Sequence, residues 1–250
     1  MHQVIRCAGA ALLVATTVQP ATADDRSVCL GIMNADKRTF PADSERIAAC
    51  NRLLAVNPND ADAYIGRGRV YSGKRDYDRA IADANEAIRL NPTGFNNAFD
   101  RGYIYYLKHD YDRAIADFDE EIKIFPKNTI AYTFRGLAYN QKGDYDRAIS
   151  EFDQAIQLFP KDFLSYAGRS EAYNRKGDYD RAIADATEAI RLAPENADAY
   201  TTRGEAYEGK NDRDHAIADF DQALALGRAP SSAKARQGLE RLQGPLTKGR

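Results

Sequence analysis

The chain has 250 residues, of which 29% are charged, and its formal net charge at pH 7 is −2. A balance so close to neutrality predicts no basic surface of the kind that binds nucleic acid. The length would allow one or two globular domains, but the internal repeats described below favour a single elongated body.

The N-terminus resembles a secretory signal peptide. Arg6 precedes an apolar run over residues 7–18, and small residues follow at 21–23. This order predicts cleavage before Asp24 and removal of residues 1–23. A run of about twelve apolar residues is shorter than the roughly twenty that span a bilayer, so we expect no integral membrane association. The predicted location is the periplasm or the exterior of the cell.

Two cysteines, Cys29 and Cys50, remain after the predicted cleavage, which removes Cys7. An even pair in an exported chain predicts a disulfide, and two buried free thiols are the alternative. Both cysteines lie in residues 24–60, which form a degenerate first copy of the repeated unit. A bridge closing a loop of about twenty residues would contribute roughly 3 kcal/mol to stability.

The hexapeptide Asp-Tyr-Asp-Arg-Ala-Ile recurs every 34 residues. Its copies begin at Asp76, Asp110, Asp144 and Asp178, and a weakened copy begins at Asp212. A fixed period of this size predicts stacked units that bury their apolar faces against one another. The predicted units are residues 61–94, 95–128, 129–162, 163–196 and 197–230.

Each unit is predicted to contain two helices. In the first unit, one helix runs from about Ala61 to Gly73, and a second begins after an N-cap at Asp76 and stops before Pro92. The turns between the helices end at residues of different types: Arg75, His109, Gly143, Gly177 and Asn211. Glycine and asparagine tolerate a left-handed conformation, so the turns at arginine and histidine are predicted to be more strained.

The units resemble tetratricopeptide repeats, which place a small residue and an aromatic residue in the first helix and alanine and a bulky residue in the second. The small residues are Gly68, Gly102, Gly136, Ser170 and Gly204; the aromatic residues are Tyr71, Tyr105, Tyr139, Tyr173 and Tyr207; and Phe118, Phe152 and Phe220 are bulky. Ala98 and Glu121 depart from the pattern, so the second unit is the least ideal. The resemblance implies an all-α, right-handed superhelical solenoid.

A second periodic feature joins arginine to acidic residues. Each arginine lies 16 residues before a carboxylate, in the pairs Arg67 and Asp83, Arg101 and Asp117, Arg135 and Glu151, Arg169 and Asp185, and Arg203 and Asp219. We predict a ladder of ion pairs along the array, and an anion-binding row of arginines is the alternative.

The resemblance also implies a binding groove lined mainly by the first helices. Its N-terminal half is predicted to present the apolar residues Ile65, Phe99, Tyr103, Tyr106, Ile130, Phe134 and Leu137. Its C-terminal half is predicted to be acidic, with Arg175 the exception, and to present Glu171, Asn174, Asp198, Thr201, Glu205 and Glu208. This pattern favours another protein or an extended peptide, apolar at one end and basic at the other. The alternative is that the second unit's aromatic residues pack within that unit.

The function predicted by these features is a non-catalytic protein–protein interaction scaffold or adaptor. Catalytic motifs, metal-ligand spacings and phosphate-binding glycine loops are missing from the sequence, so we expect no enzyme activity and no cofactor. One alternative is a self-assembling homo-oligomer that uses as contacts either the imperfect second unit or four exposed tyrosines: Tyr77, Tyr111, Tyr145 and Tyr179. Another is a regulatory subunit of a periplasmic enzyme.

The period slips near the C-terminus, where the closing proline is Pro230 rather than residue 228. Residues 231–243 are predicted to form a capping helix with Leu239 and Leu242 on its inner side. Residues 244–250 are predicted to be a flexible tail.

Overall fold

The computed structural model describes residues 22–32, 40–227 and 231–243, and within these ranges it contains thirteen helices and no strand. The helices are α1 (Ala23–Leu30), α2 (Asp43–Val56), α3 (Ala61–Gly73), α4 (Tyr77–Leu90), α5 (Asn97–Leu107), α6 (Tyr111–Ile124), α7 (Thr129–Lys142), α8 (Tyr145–Leu158), α9 (Phe163–Arg175), α10 (Tyr179–Leu192), α11 (Ala197–Gly209), α12 (Arg213–Ala225) and α13 (Ser231–Gln243). Nearly all of the predicted signal peptide, the slipped Pro230 and the predicted tail lie outside the described residues.

The helices form two layers. Each helix packs against the next along the chain, and each odd-numbered helix also contacts the next odd-numbered one. Even-numbered helices of the described ranges do not contact one another. Odd-numbered helices therefore form the inner layer of a curved array and even-numbered helices the outer layer. This arrangement is the predicted all-α solenoid, and it leaves the odd-numbered helices to line the concave groove.

The hexapeptide both starts a helix and joins neighbouring units. At the start of α4, the Asp76 side chain accepts a hydrogen bond from the backbone N–H of Arg79. The Arg79 guanidinium pairs with Asp76 and lies 4.3 Å from the ring centroid of Tyr71. Asp78 accepts a hydrogen bond from Lys108 of the next unit at 2.7 Å. The same contacts recur at α6, α8 and α10, which explains why the motif repeats.

The turns between paired helices adopt the predicted left-handed conformation. Gly143 has φ 78° and Gly177 has φ 79°. Arg75, His109 and Asn211 adopt φ of 60°, 62° and 62°, a conformation that L side chains other than asparagine and aspartate rarely adopt. The greater strain at Arg75 and His109 stays a prediction.

The predicted arginine ladder is confirmed. In all five pairs, one terminal guanidinium nitrogen lies between 2.6 and 2.8 Å from the carboxylate. The same arginines also donate to side chains of the preceding unit: Asn51, Asn85, Asp119, Asp153 and Thr187. Each arginine therefore joins the outer helix of its own unit to that of the preceding unit. With both partners in place, the ladder fixes register between units, and the alternative of an anion-binding row loses its basis.

Cys29 and Cys50 form a disulfide that joins α1 to α2, with their Cα atoms 4.9 Å apart. Both residues are fully buried, in a small core that includes Ala63 of α3. A second link between the same helices is the ion pair of Asp25 and Arg52. The hydrogen bonds from Arg52 lower the pKa of Asp25 to about 2.

The second unit uses a buried carboxylate in place of the usual alanine. The 34-residue period would start α5 at Phe95, but the helix begins at Asn97 without a side-chain cap. Glu121 is fully buried and accepts hydrogen bonds from the backbone N–H groups of Asn96, at 3.2 Å, and Phe99, at 3.4 Å. Its carboxyl group thus lies at the N-terminal end of α5 and satisfies donors that a helix start leaves unpaired.

The prediction that four hexapeptide tyrosines are exposed is wrong, because all four are half-buried. Tyr77, Tyr145 and Tyr179 pack against core clusters, and Tyr111 contacts Tyr106 with ring centroids 5.7 Å apart. Each tyrosine directly follows the N-cap of its helix. At this position its side chain points toward an adjacent first helix.

The helix α13 packs against α11 and α12 with Leu239 fully buried and Leu242 partly buried against the same core. Gly238 approaches Phe220 so closely that a Cβ there would lie 2.4 Å from the ring. None of the described helices combines the length and hydropathy that a membrane span requires.

Candidate functional site

Helices α5 and α7 carry a cluster of half-buried aromatic side chains on the inner layer. Phe134 lies at its centre, with its ring centroid 5.6 Å from Phe99, 5.1 Å from Tyr103 and 5.8 Å from Tyr106. The rings meet edge to face, which is a favoured aromatic geometry. The rings pack partly within the second unit, as the alternative expected, since Phe99 stacks on Tyr103, and partly against Phe134 of the third unit. Each ring also retains exposed surface.

Burial raises the pKa of one side chain of this cluster, the Tyr106 hydroxyl, to about 12, with smaller contributions from Tyr111, Glu171 and Tyr103. The phenol therefore remains neutral throughout the physiological range, and this part of the groove presents an apolar surface.

A cavity of about 360 Å3 opens beside the aromatic cluster, between α3 and α5 with α4 beneath them. Ile65, Phe99 and Tyr103, three of the predicted groove residues, line it, together with Leu107 and Ala84. The sequence-based interpretation did not include Ala84. The signal was available, because Ala84 occupies the bulky column in which three of the other four units have phenylalanine.

One wall of the cavity carries an ion pair whose two charges neutralise each other. Arg69 donates to both carboxylate oxygens of Asp100, at 3.0 and 2.8 Å. Burial raises the pKa of Asp100, and the hydrogen bonds from Arg69 oppose that effect. The pair joins α3 to α5 across the mouth of the groove, and its charges already have partners.

Other predicted apolar groove residues lie outside this cavity. Leu137 packs against the core formed by Ala148, Phe152 and Ala172. Ile130 is 56% exposed in the first turn of α7. Thus Ile130 offers free surface for a partner, whereas Leu137 mainly supports the scaffold.

The C-terminal half of the groove is less acidic than predicted, because basic residues offset its carboxylates. Arg241 of α13 donates to Glu208 at 2.8 Å, and Arg175 lies 3.8 Å from Glu171. Burial raises the pKa of Glu205, while the positive charges of Lys234, Arg175 and Arg241 oppose that shift. The prediction missed Arg241 because α13 follows the slip in the repeat.

A depression of about 310 Å3 lies in this half of the groove. Its lining includes three predicted residues, Asn174, Glu205 and Glu208, together with Arg175 and Arg241. Asp198 is exposed in the first turn of α11. The prediction for Thr201 is wrong, because its side chain is buried and its hydroxyl donates to the carbonyl of Ala197 at 2.9 Å.

The described residues contain no cluster of three or more His, Cys, Asp or Glu side chains arranged to hold a metal ion. The imidazole of His109 contacts the Tyr111 hydroxyl at 2.8 Å, and that of His215 lies 2.9 Å from the Asp212 carboxylate. Both histidines are exposed and stand at the turns or starts of outer helices, away from the groove.

Profiles of the tetratricopeptide repeat (TPR) match the chain at residues 61–93, 98–163, 170–211 and 197–228. These matches cover most of the periodic part of the solenoid. The chain belongs to the tetratricopeptide repeat family. A comparison with curated protein sequences found no significant match.

Several solved structures share the fold. YrrB, described as a TPR protein with an unusual peptide-binding site, is 21% identical, and the match covers 77% of this chain and 98% of YrrB with a TM-score of 0.58. A MamA structure is 26% identical over 64% of this chain and 93% of MamA, with a TM-score of 0.57. Yeast Tom70 is 21% identical, and the match covers 80% of this chain and 43% of the Tom70 chain with a TM-score of 0.64.

Proposed function

We propose that this TPR protein is a non-catalytic scaffold or adaptor that holds a peptide segment of another protein in its concave groove. The observation that carries the proposal is the aromatic cluster on the inner faces of α5 and α7, next to a cavity with apolar walls. Aromatic anchors in concave sites contribute a large share of binding energy in protein complexes. The similarity to YrrB, whose structure has a peptide-binding site, supports the same reading.

Charge in the C-terminal half would orient the partner. Its carboxylates and basic side chains alternate, so an extended peptide meets both signs along this part of the groove. Such charges influence association rate and orientation more than affinity. We therefore assign most of the binding energy to the aromatic half, and we expect Glu205→Lys to alter the salt dependence of binding more than its strength.

The test is selection of random linear peptides on the immobilised protein, followed by titration of a synthetic selected peptide. Tyr103→Ala should weaken binding about tenfold or more, since it removes a large aromatic contact. The matched control is Phe159→Ala, which removes an exposed aromatic side chain from the loop after α8, outside the inner layer. If no peptide is enriched, or if both variants bind equally well, the groove is not the binding site.

Self-assembly is the rival function. This hypothesis used the imperfect second unit or exposed hexapeptide tyrosines as contacts, and the tyrosines are half-buried rather than exposed. Sedimentation velocity over a wide concentration range tests it directly: a sedimentation coefficient that does not change with concentration supports the adaptor, and a rising one supports the assembling subunit.

We also propose that the protein works outside the cytoplasm. The disulfide between Cys29 and Cys50 supports this location, because such bonds persist in oxidising compartments. Cleavage before Asp24 would remove the first residue of α1 and leave the Asp25–Arg52 pair intact. N-terminal sequencing of the protein recovered from the periplasm or medium should begin at Asp24, and recovery of the uncleaved chain from the cytoplasm would contradict the proposal.

A further inference from the structure

The cavity between α3 and α5 lies where the first unit has alanine in the bulky column. The second, third and fifth units have phenylalanine in this column, whereas the first has Ala84 and the fourth has Ala186. In the second, third and fifth units, a Cβ on the small residue of the first helix would lie 2.8 to 2.9 Å from that phenylalanine ring. A Cβ on Gly68 would instead meet only backbone and the Asp83 Cβ, both at 3.3 Å. The phenylalanine ring that fills this space in those three units is missing from the first.

The neighbouring unit compensates only in part. Ile104 packs against Ala84, at the position where the third and fourth units have alanine, Ala138 and Ala172. The isoleucine side chain is smaller than the phenylalanine ring that is absent at Ala84, so a cavity of about 360 Å3 remains open. An apolar cavity of about 150 Å3 is enough to bind benzene, so this one has room for a large aromatic side chain.

The walls favour an uncharged, aromatic occupant. Phe99 and Tyr103 are stacked, with ring planes 6° apart and centroids separated by 6.3 Å, and both line the cavity. An incoming ring can therefore pack against aromatic faces and edges. The charged groups of the wall, Arg69 and Asp100, are bound to each other, so a charged side chain would lose its hydration without gaining a partner.

From this geometry we propose that the cavity at Ala84 is a specificity pocket for one large aromatic side chain of the bound peptide. The inference rests on the proposed function and adds the residue class that the groove selects. A peptide would place its aromatic residue between α3 and α5 and continue over the cluster around Phe134. Its sequence on either side would be variable, and the aromatic residue would stay at a fixed position.

The experiment fills the pocket without changing the rest of the groove. The double variant Ala84→Phe with Ile104→Ala introduces the phenylalanine and alanine pair that packs between the third and fourth units as Phe152 and Ala172. This pair already occurs in the solenoid, so the variant should fold, and circular dichroism and thermal unfolding verify that it does. If it does not fold, Ala84→Leu occupies part of the same space with a smaller change.

Peptides selected from a random library on the wild-type protein are then titrated against wild type, the pocket-filled variant and Tyr103→Ala. We expect a shared aromatic residue among the selected peptides, and a loss of about tenfold or more in affinity both on filling the pocket and on replacing that residue by alanine. Phe159→Ala should bind as the wild type does.

The outcomes separate the two claims. Peptides that require Tyr103 but bind the pocket-filled variant with unchanged affinity would overturn the specificity pocket and leave the groove function standing. Selection of peptides without a fixed aromatic residue would do the same. Failure to select any peptide that depends on Tyr103 would instead count against the proposed function itself.

Discussion

Glu121 and Phe99 lie on different helices, yet the Glu121 carboxylate accepts a hydrogen bond from the backbone N–H of Phe99 at 3.4 Å. The same carboxylate accepts from the Asn128 side chain at 2.9 Å. One buried side chain thus anchors the start of α5, the helix that carries most of the aromatic cluster.

Glu121→Ala should destabilise the second unit, although alanine is the family's usual residue there. The substitution leaves the N–H groups of Asn96 and Phe99 without an acceptor, at an expected cost of about 1 to 3 kcal/mol. Glu121→Gln retains one acceptor oxygen and should cost less. Urea unfolding measures both, and equal stability of the alanine variant and the wild type would rule out a capping role.

Loss of one rung of the arginine ladder should have a larger effect than loss of a surface ion pair. Arg169→Ala leaves the buried Asp185 without its partner, and we expect a loss of about 3 kcal/mol. The control is Arg191→Ala, which breaks the exposed pair with Glu188 and should cost less than about 1 kcal/mol. Similar urea midpoints for the two variants would mean that the ladder contributes no more than surface pairs do.

The disulfide should stabilise the N-terminal end of the solenoid by about 3 kcal/mol. The double variant Cys29→Ala with Cys50→Ala should lose this amount, and a reducing agent should lower the stability of the wild type to a similar level. The reducing agent should leave the double variant unchanged, which is the control. Two alkylatable thiols in the protein isolated without reductant would show that the bond does not form.

Alkaline pH should destabilise the aromatic cluster through Tyr106. The folded state raises the pKa of this phenol from 10.0 to about 12, because burial disfavours its charged form. The contribution of the neutral Tyr106 side chain to the free energy of unfolding is fully present below pH 10 and is lost as the pH rises toward 12. Tyr106→Phe keeps the ring and removes the titrating group, so its stability should fall less between pH 10 and 12. Parallel thermal unfolding curves over this range make the comparison.

Much of the fold could be predicted from the sequence because the repeat confines its main interactions to short distances along the chain. The N-cap of Asp76 involves residues three apart, the turn at His109 depends on local backbone, and each rung of the ladder joins residues 16 apart. Interactions of this kind form wherever the motif is present. The periodic sequence therefore predicts them in every unit.

The groove was harder to predict because its chemistry depends on pairs of units. The sequence indicated an acidic C-terminal half, but Arg241 reaches Glu208 from a helix outside the regular period. It also indicated Thr201 as a groove residue, although this side chain turns back to its own helix. The first outcome depends on two parts of the chain, and the second depends on the burial of the Thr201 side chain in the folded array.

The sequence by itself determined the helical period, the caps, the turns, the ladder and the pairing of the two cysteines, since each follows from local spacing or from a count of partners. The tertiary structure decided where space remains. The cavity beside Ala84 depends on how closely α3 and α5 approach and on how far Ile104 fills the gap. Such volumes are small differences between packed surfaces, and they become defined only when neighbouring units are in contact.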